Sequence, residues 1–98
     1  MNLLAETSEK LKYCQKIIED IEYIYVYTKV DYDSKTVVCS IATPSNLDSL
    51  DFDYDNGYGS QEIFGWITFK DNSWLERNDY DGSEWWAYRR KPGVEDLI

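Results

Sequence analysis

The chain reads as an α+β domain in which an N-terminal amphipathic helix packs on one face of a five- to six-stranded antiparallel sheet, a meander of hairpins. Three observations predict it. Leu4, Leu11 and Ile18 recur seven residues apart among Glu, Lys, Ser and Gln, the stripe of a helix with one apolar side. From Glu22 the period changes to two, with Ile24, Val26 and Thr28 on one side and Tyr23, Tyr25 and Tyr27 on the other. Beyond residue 46 the turn formers Asp55-Asn56-Gly57, Asp71-Asn72-Ser73 and Asp81-Gly82-Ser83 punctuate the chain at hairpin intervals.

Each element follows in order. Asn2 is the expected N-cap of a helix over residues 3–20, with Cys14 and Ile21 on the same stripe. A strand starts at Glu22, turns at Asp33-Ser34-Lys35 and returns as Thr36–Ala42, after which Thr43-Pro44-Ser45-Asn46 breaks regular structure. Strand-like runs then fall at 50–55, 62–70, 73–79 and 84–90. All 98 residues are expected to form one domain, with Pro92–Ile98 as a loose tail. A chain of this length buries only roughly 60–70% of its unfolded surface, which leaves little room for a deep cleft.

The formal net charge of −9 repels nucleic acid and anionic membrane while steering the chain toward cationic surfaces. No run approaches the ~20 apolar residues of a membrane span, and MNLLAETSEK lacks the charged start and apolar core of a secretory leader. The expectation is a cytoplasmic protein that touches neither membrane nor nucleic acid directly. Cys14 and Cys39 are spaced unlike zinc ligands, the chain contains no histidine, and both cysteines are expected as reduced core residues. Without histidine, a phosphate loop or a nucleophile elbow, an enzyme is not expected, nor is a cofactor.

Residues 48–84 hold ten carboxylates against Lys70 and Arg77, and aromatic residues run between them. A disordered acidic tail has no use for so many rings, so the charge is expected on a folded scaffold. Asp51, Asp53 and Asp55 would alternate along one strand face at ~6.6–7 Å intervals, close to the phosphate spacing of a nucleic-acid strand. That spacing suggests DNA mimicry. With Glu62, Asp79, Asp81 and Glu84 these residues form the expected acidic contact surface for a basic partner or else a solubilising face, and Tyr25, Trp66 and Trp86 are the aromatic contacts if the rings form an exposed sheet face; the other reading is that the rings fill a small core or a second packed layer. An aromatic sheet face also serves RNA recognition modules, but those surround their rings with Lys and Arg. The same acids raise a calcium alternative, since Asp51, Asp53, Asp55 and Glu62 occupy places one, three, five and twelve of an EF-hand-like loop. In that loop Asn56 stands where glycine belongs, and the flanks read as strands.

The segments Asn72-Ser73-Trp74-Leu75-Glu76-Arg77 and Tyr80-Asp81-Gly82-Ser83-Glu84-Trp85-Trp86-Ala87-Tyr88-Arg89-Arg90 resemble the C-terminal end of small bacteriophage-encoded proteins. In size, acidity and lack of catalytic residues the chain is similar to phage-encoded inhibitors of host defence, of the anti-restriction and anti-CRISPR type. The resemblance implies stoichiometric binding to a basic surface of a host nuclease or CRISPR complex, in the host cytoplasm. An adaptor or regulatory protein that binds through an aromatic sheet face is the alternative, and a calcium-dependent module the third. Trp85 and Trp86 are expected on opposite faces, and Arg89, Arg90 and Lys91 form a basic cluster expected to pair with a neighbouring acidic edge or with a second subunit in a homodimer.

Overall fold

A computed structural model describes residues 1–29, 34–57 and 60–92. Helix α1 (Leu3–Tyr13) leads, through a short 3-10 turn at Ile18–Asp20, into strand β1 (Ile21–Lys29). Strand β2 (Lys35–Ala42), a second 3-10 turn at Asp48–Leu50, and strands β3 (Ile63–Phe69), β4 (Ser73–Tyr80) and β5 (Ser83–Arg90) follow. The five strands form one antiparallel sheet in the order β2-β1-β3-β4-β5. This is the expected α+β architecture, with five strands.

The helix starts as expected and stops early. The Asn2 side chain accepts the Ala5 N–H at 2.9 Å, which caps the first turn. At the other end Cys14 N–H bonds back to Lys10, and Gln15 turns left-handed at φ 59°, so the helical path ends near residue 14 instead of 20. The buried stripe is Leu3, Thr7 and Leu11, one residue round from the expected line, and Leu4 is only partly buried. Ile18 still packs against the core, from the 3-10 turn.

Residues 50–55 do not form a strand. β2 and β3 lie on either side of β1 and run in the same direction, so the chain between them must cross a face of the sheet. It crosses on the helix side, where Leu47, Leu50 and Tyr54 enter the core and Phe52 packs against it. The alternation read from the sequence is present, with Phe52 and Tyr54 in and Asp51, Asp53 and Asp55 out, but its one β-bridge joins Asp53 to Asn2. The sheet is accordingly a β1–β2 hairpin joined edgewise to a β3-β4-β5 meander. Of the expected turn at residues 33–35, Asp33 lies outside the described residues, as does the tail beyond Pro92.

Ile24 and Val26 of β1, Ile63, Ile67 and Phe69 of β3, Leu75 of β4 and Trp86 of β5 bury against α1 and the crossing segment. β1 and β3 approach so closely at Gly65 (φ +129°) that a Cβ there would lie 2.0 Å from the Tyr25 carbonyl oxygen. Only glycine fits that place. Both cysteines are free; Cys39 is buried and Cys14 half-buried, and burial pushes both thiols up from their usual pKa.

Candidate functional site

α1 and the crossing segment both cover the same side, so the opposite side of the sheet has no layer upon it among the described residues. Strand alternation puts Tyr23, Tyr25 and Tyr27 there from β1, and register carries the pattern onward. Tyr25 lies opposite Trp66 and Tyr27 opposite Phe64, with ring centroids 5.0 and 5.4 Å apart. Along β1 the Tyr23–Tyr25 and Tyr25–Tyr27 centroids are 6.4 and 5.5 Å apart. Trp74, paired with Thr68 and Arg89, and Trp85, paired with Asn78, extend the face across β4 and β5. Trp66 and Trp85 remain 41% and 42% exposed, a large apolar area to leave in water.

Among the described residues, lysines stand beside the rings at the β1–β2 end, while Glu76 is the register partner of Trp66. Lys35 Nζ sits 5.3 and 4.9 Å from the Tyr25 and Tyr27 centroids, and Lys29 Nζ 5.1 Å from that of Phe64. A hydrogen bond to Tyr25 raises the Lys35 ammonium above its usual pKa. At the other side Arg89 pairs with Glu76 at 3.1 Å. Of the expected acids, Asp51, Asp53 and Asp55 lie elsewhere because their segment crosses the covered side. Asp51 and Asp53 accept the Asn2 amide at 3.0 and 3.3 Å, while the Glu62 carboxylate accepts the Asp55 N–H at 3.1 Å. Asp79 and Asp81 are exposed at the β4–β5 turn, which meets the crossing segment through a 2.9 Å bond from Gly57 N–H to the Gly82 carbonyl.

Two expected contact residues are interior. Glu84 is 3% and Trp86 2% exposed, because β5 presents its even-numbered residues to the helix: Trp86 pairs with Arg77, and its indole N–H donates to Thr7 Oγ1 at 2.8 Å. The outward tryptophan of the pair is Trp85. Glu84 belongs to a buried charged cluster that the sequence reading missed. Arg77 Nη2 donates to Glu84 at 2.7 Å and to the Tyr54 hydroxyl at 3.1 Å, and Arg77 Nη1 pairs with Glu6. The guanidinium lies 4.9 Å from the Trp86 ring centroid and 5.5 Å from that of Tyr54. The Glu84 carboxylate also accepts the N–H groups of Glu62 and Ile63 at 2.7 and 3.1 Å. A charged residue at the inward place two beyond Leu75 was the signal available in the sequence.

Asp51, Asp53, Asp55 and Glu62 lie between the 3-10 turn Asp48–Leu50 and β3, in a stretch of which residues 58–59 lie outside the described residues, and among the described residues no group of three or more metal-ligating side chains occurs. Among those residues no helix is long and apolar enough to cross a membrane.

The fold and this face define a class: an α+β protein whose single sheet is covered on one side and presents stacked aromatic side chains on the other. Compared with known proteins, the chain matches no family model, no curated protein and no solved structure.

Proposed function

We propose that the chain is a non-catalytic binding protein that grips a protein partner with the open aromatic face. The observation that carries this reading is the group of rings on β1 and β3, packed side by side with centroids 5.0 to 6.4 Å apart and uncovered by other described elements. Tyr and Trp dominate interface hot spots, because they bring large rigid area at small entropic cost. Rings already held by their neighbours are preorganised for docking. The net charge of −9 adds long-range attraction to a basic partner. A phage-type inhibitor of a host nuclease or CRISPR complex fits this description, with the rings making the contact and the acids guiding the approach.

The second reading is DNA mimicry by the acids, favoured by the Gly57–Gly82 bond that draws the segment carrying Asp55 to the turn carrying Asp81. It stands second because Asp51, Asp53 and Asp55 do not form the strand row on which phosphate-like spacing depended. Capture of partners from a bacterial lysate separates the two. Under the first reading Trp66→Ala and Tyr25→Ala abolish capture, and Asp79→Lys with Asp81→Lys slows association without abolishing it. Capture that survives both ring variants, yet is released by salt or competitor DNA, reverses the order.

A further inference from the structure

Of the turn formers that punctuate the chain, Asp55-Asn56-Gly57 closes no hairpin, because residues 50–55 form no strand. Its residues instead hold the crossing segment to the start of β5. The Asn56 side chain lies against the main chain of Glu84: Oδ1 accepts the Glu84 N–H at 2.8 Å and Nδ2 donates to the Glu84 carbonyl at 3.0 Å. A longer contact of 3.5 Å runs from Nδ2 to the Tyr54 hydroxyl. Beside it the Gly57 N–H donates to the Gly82 carbonyl at 2.9 Å. One carboxamide and one main-chain amide thus join two segments distant in the chain.

These two groups are also reactants for each other. Asparagine is thermolabile because the main-chain nitrogen of the following residue can attack its side-chain carbonyl carbon. Glycine, with no Cβ, leaves that nitrogen least shielded. Among Asn2, Asn46, Asn56, Asn72 and Asn78, Asn56 alone precedes glycine. In the attack a bond forms from Gly57 N to Asn56 Cγ and the Cγ–Nδ2 bond breaks. The proton lost from Gly57 N leaves with Nδ2 as ammonia, and a cyclic imide remains. Water then opens the imide, at Cγ to give aspartate, or at the main-chain carbonyl carbon of residue 56 to give isoaspartate.

The fold withholds two requirements of the first step. Gly57 N must give up a proton that it shares with the Gly82 carbonyl. Asn56 Cγ must swing toward that nitrogen while both polar atoms of its carboxamide hold Glu84. Water is no obstacle, since Gly57 is exposed and Asn56 half-buried.

We propose that Asn56 is a gated deamidation site: docked on Glu84 it is held from reaction, and release of the segment opens it to a one-way conversion that weakens the junction it came from. Aspartate has no N–H to donate. One of its oxygens keeps the Glu84 N–H, and the other faces the Glu84 carbonyl, oxygen against oxygen. Isoaspartate adds a methylene to the main chain and takes one from the side chain, which no longer spans to Glu84. Refolding restores neither bond pattern, so a chain that has opened carries a permanent mark.

Peptide mapping by mass spectrometry at mildly alkaline pH compares the folded chain with the chain unfolded in guanidinium chloride. Replacement of –NH2 by –OH at residue 56 is expected in both, and at least about tenfold more slowly in the folded chain, because only its open fraction reacts. As denaturant rises below the unfolding transition, this conversion and hydrogen exchange of the Gly57 amide are expected to accelerate together. Asn56→Asp supplies the aspartyl product directly, and its Gly57 amide is expected to exchange at least about tenfold faster than in the unmodified chain. Where that variant does not fold, the deamidated chain, separated by ion exchange on its added negative charge, carries the same comparison. Equal rates in the folded and unfolded chain overturn the proposal. So does conversion in the folded chain that is faster at another asparagine, a rate that does not follow Gly57 exchange, or a Gly57 amide as protected in the product as before. None of these outcomes depends on what the open face binds.

Discussion

Arg77 is the residue on which most of the interior polar structure converges. Its side chain is 1% exposed and contacts Glu84, Glu6 and Tyr54, tying β4 to β5, α1 and the crossing segment. Burying charge is costly, and the arrangement holds because each carboxylate faces the guanidinium. Removing one partner leaves the others uncompensated. Arg77→Met is expected to lower unfolding free energy by about 3–5 kcal/mol, measured by chemical denaturation, with part recovered when Glu84→Gln is added. Tyr54, in the same cluster, has its phenol pushed up to about 12, by burial first and by the hydrogen bond to Glu6 second. Because the folded value lies above the unfolded value of about 10, the stabilisation is complete below that pH and is lost as pH rises toward 12. Absorbance at 295 nm should show a late tyrosinate step, accompanied by unfolding, that is absent in Tyr54→Phe. A cluster of this kind leaves a faint trace in sequence: inward places on β4 and β5 hold Arg77 and Glu84, where an alternating pattern calls for apolar residues.

Among the elements, the β1–β3 pair decides the shape of the open face, since Tyr25 meets Trp66 and Tyr27 meets Phe64 across it. Gly65 allows that pairing, and its absent side chain is the reason Val26 and Gly65 can lie opposite each other. Gly65→Ala combines a positive φ with a clash against main-chain oxygen, and is expected to destabilise by about 2–4 kcal/mol in thermal or chemical unfolding. An effect below about 0.5 kcal/mol would show that the strands separate there at no cost. The helix was legible at its start, where Asn2 precedes an apolar stripe, and illegible at its end. No proline or glycine marks residue 14; the helix stops because the core is already reached by Leu11 and the chain must turn to begin β1. Segment 50–55 shows the reverse case. Its alternation is visible in the sequence, but alternation alone does not say whether a neighbouring strand is there to pair with it.

At the scale of the molecule, charge and aromatic area are segregated. The open face carries the rings with Lys29, Lys35 and Arg89 near them, whereas Asp51, Asp53 and Asp55 lie on the segment that crosses the covered side. With a net charge of −9 the chain repels itself, and salt relieves that repulsion. The melting temperature is therefore expected to rise by a few degrees between about 0.01 and 0.3 M salt, over which the screening length falls from about 30 Å to below 8 Å. A fall over that range would mean that attractive surface pairs such as Lys16–Asp71 outweigh the repulsion. By itself the sequence determined the class of fold, the helix cap, the two-residue period of β1 and the choice of Ile24 and Val26 for the core, because each follows from periods and turn chemistry within a few residues. Only the tertiary structure decided that Glu84 and Trp86 face inward, that the acidic run crosses the sheet without pairing in it, and that cations attend the rings. Those outcomes depend on register between segments far apart in the chain, and a shift of one residue in that register exchanges the two faces of a strand.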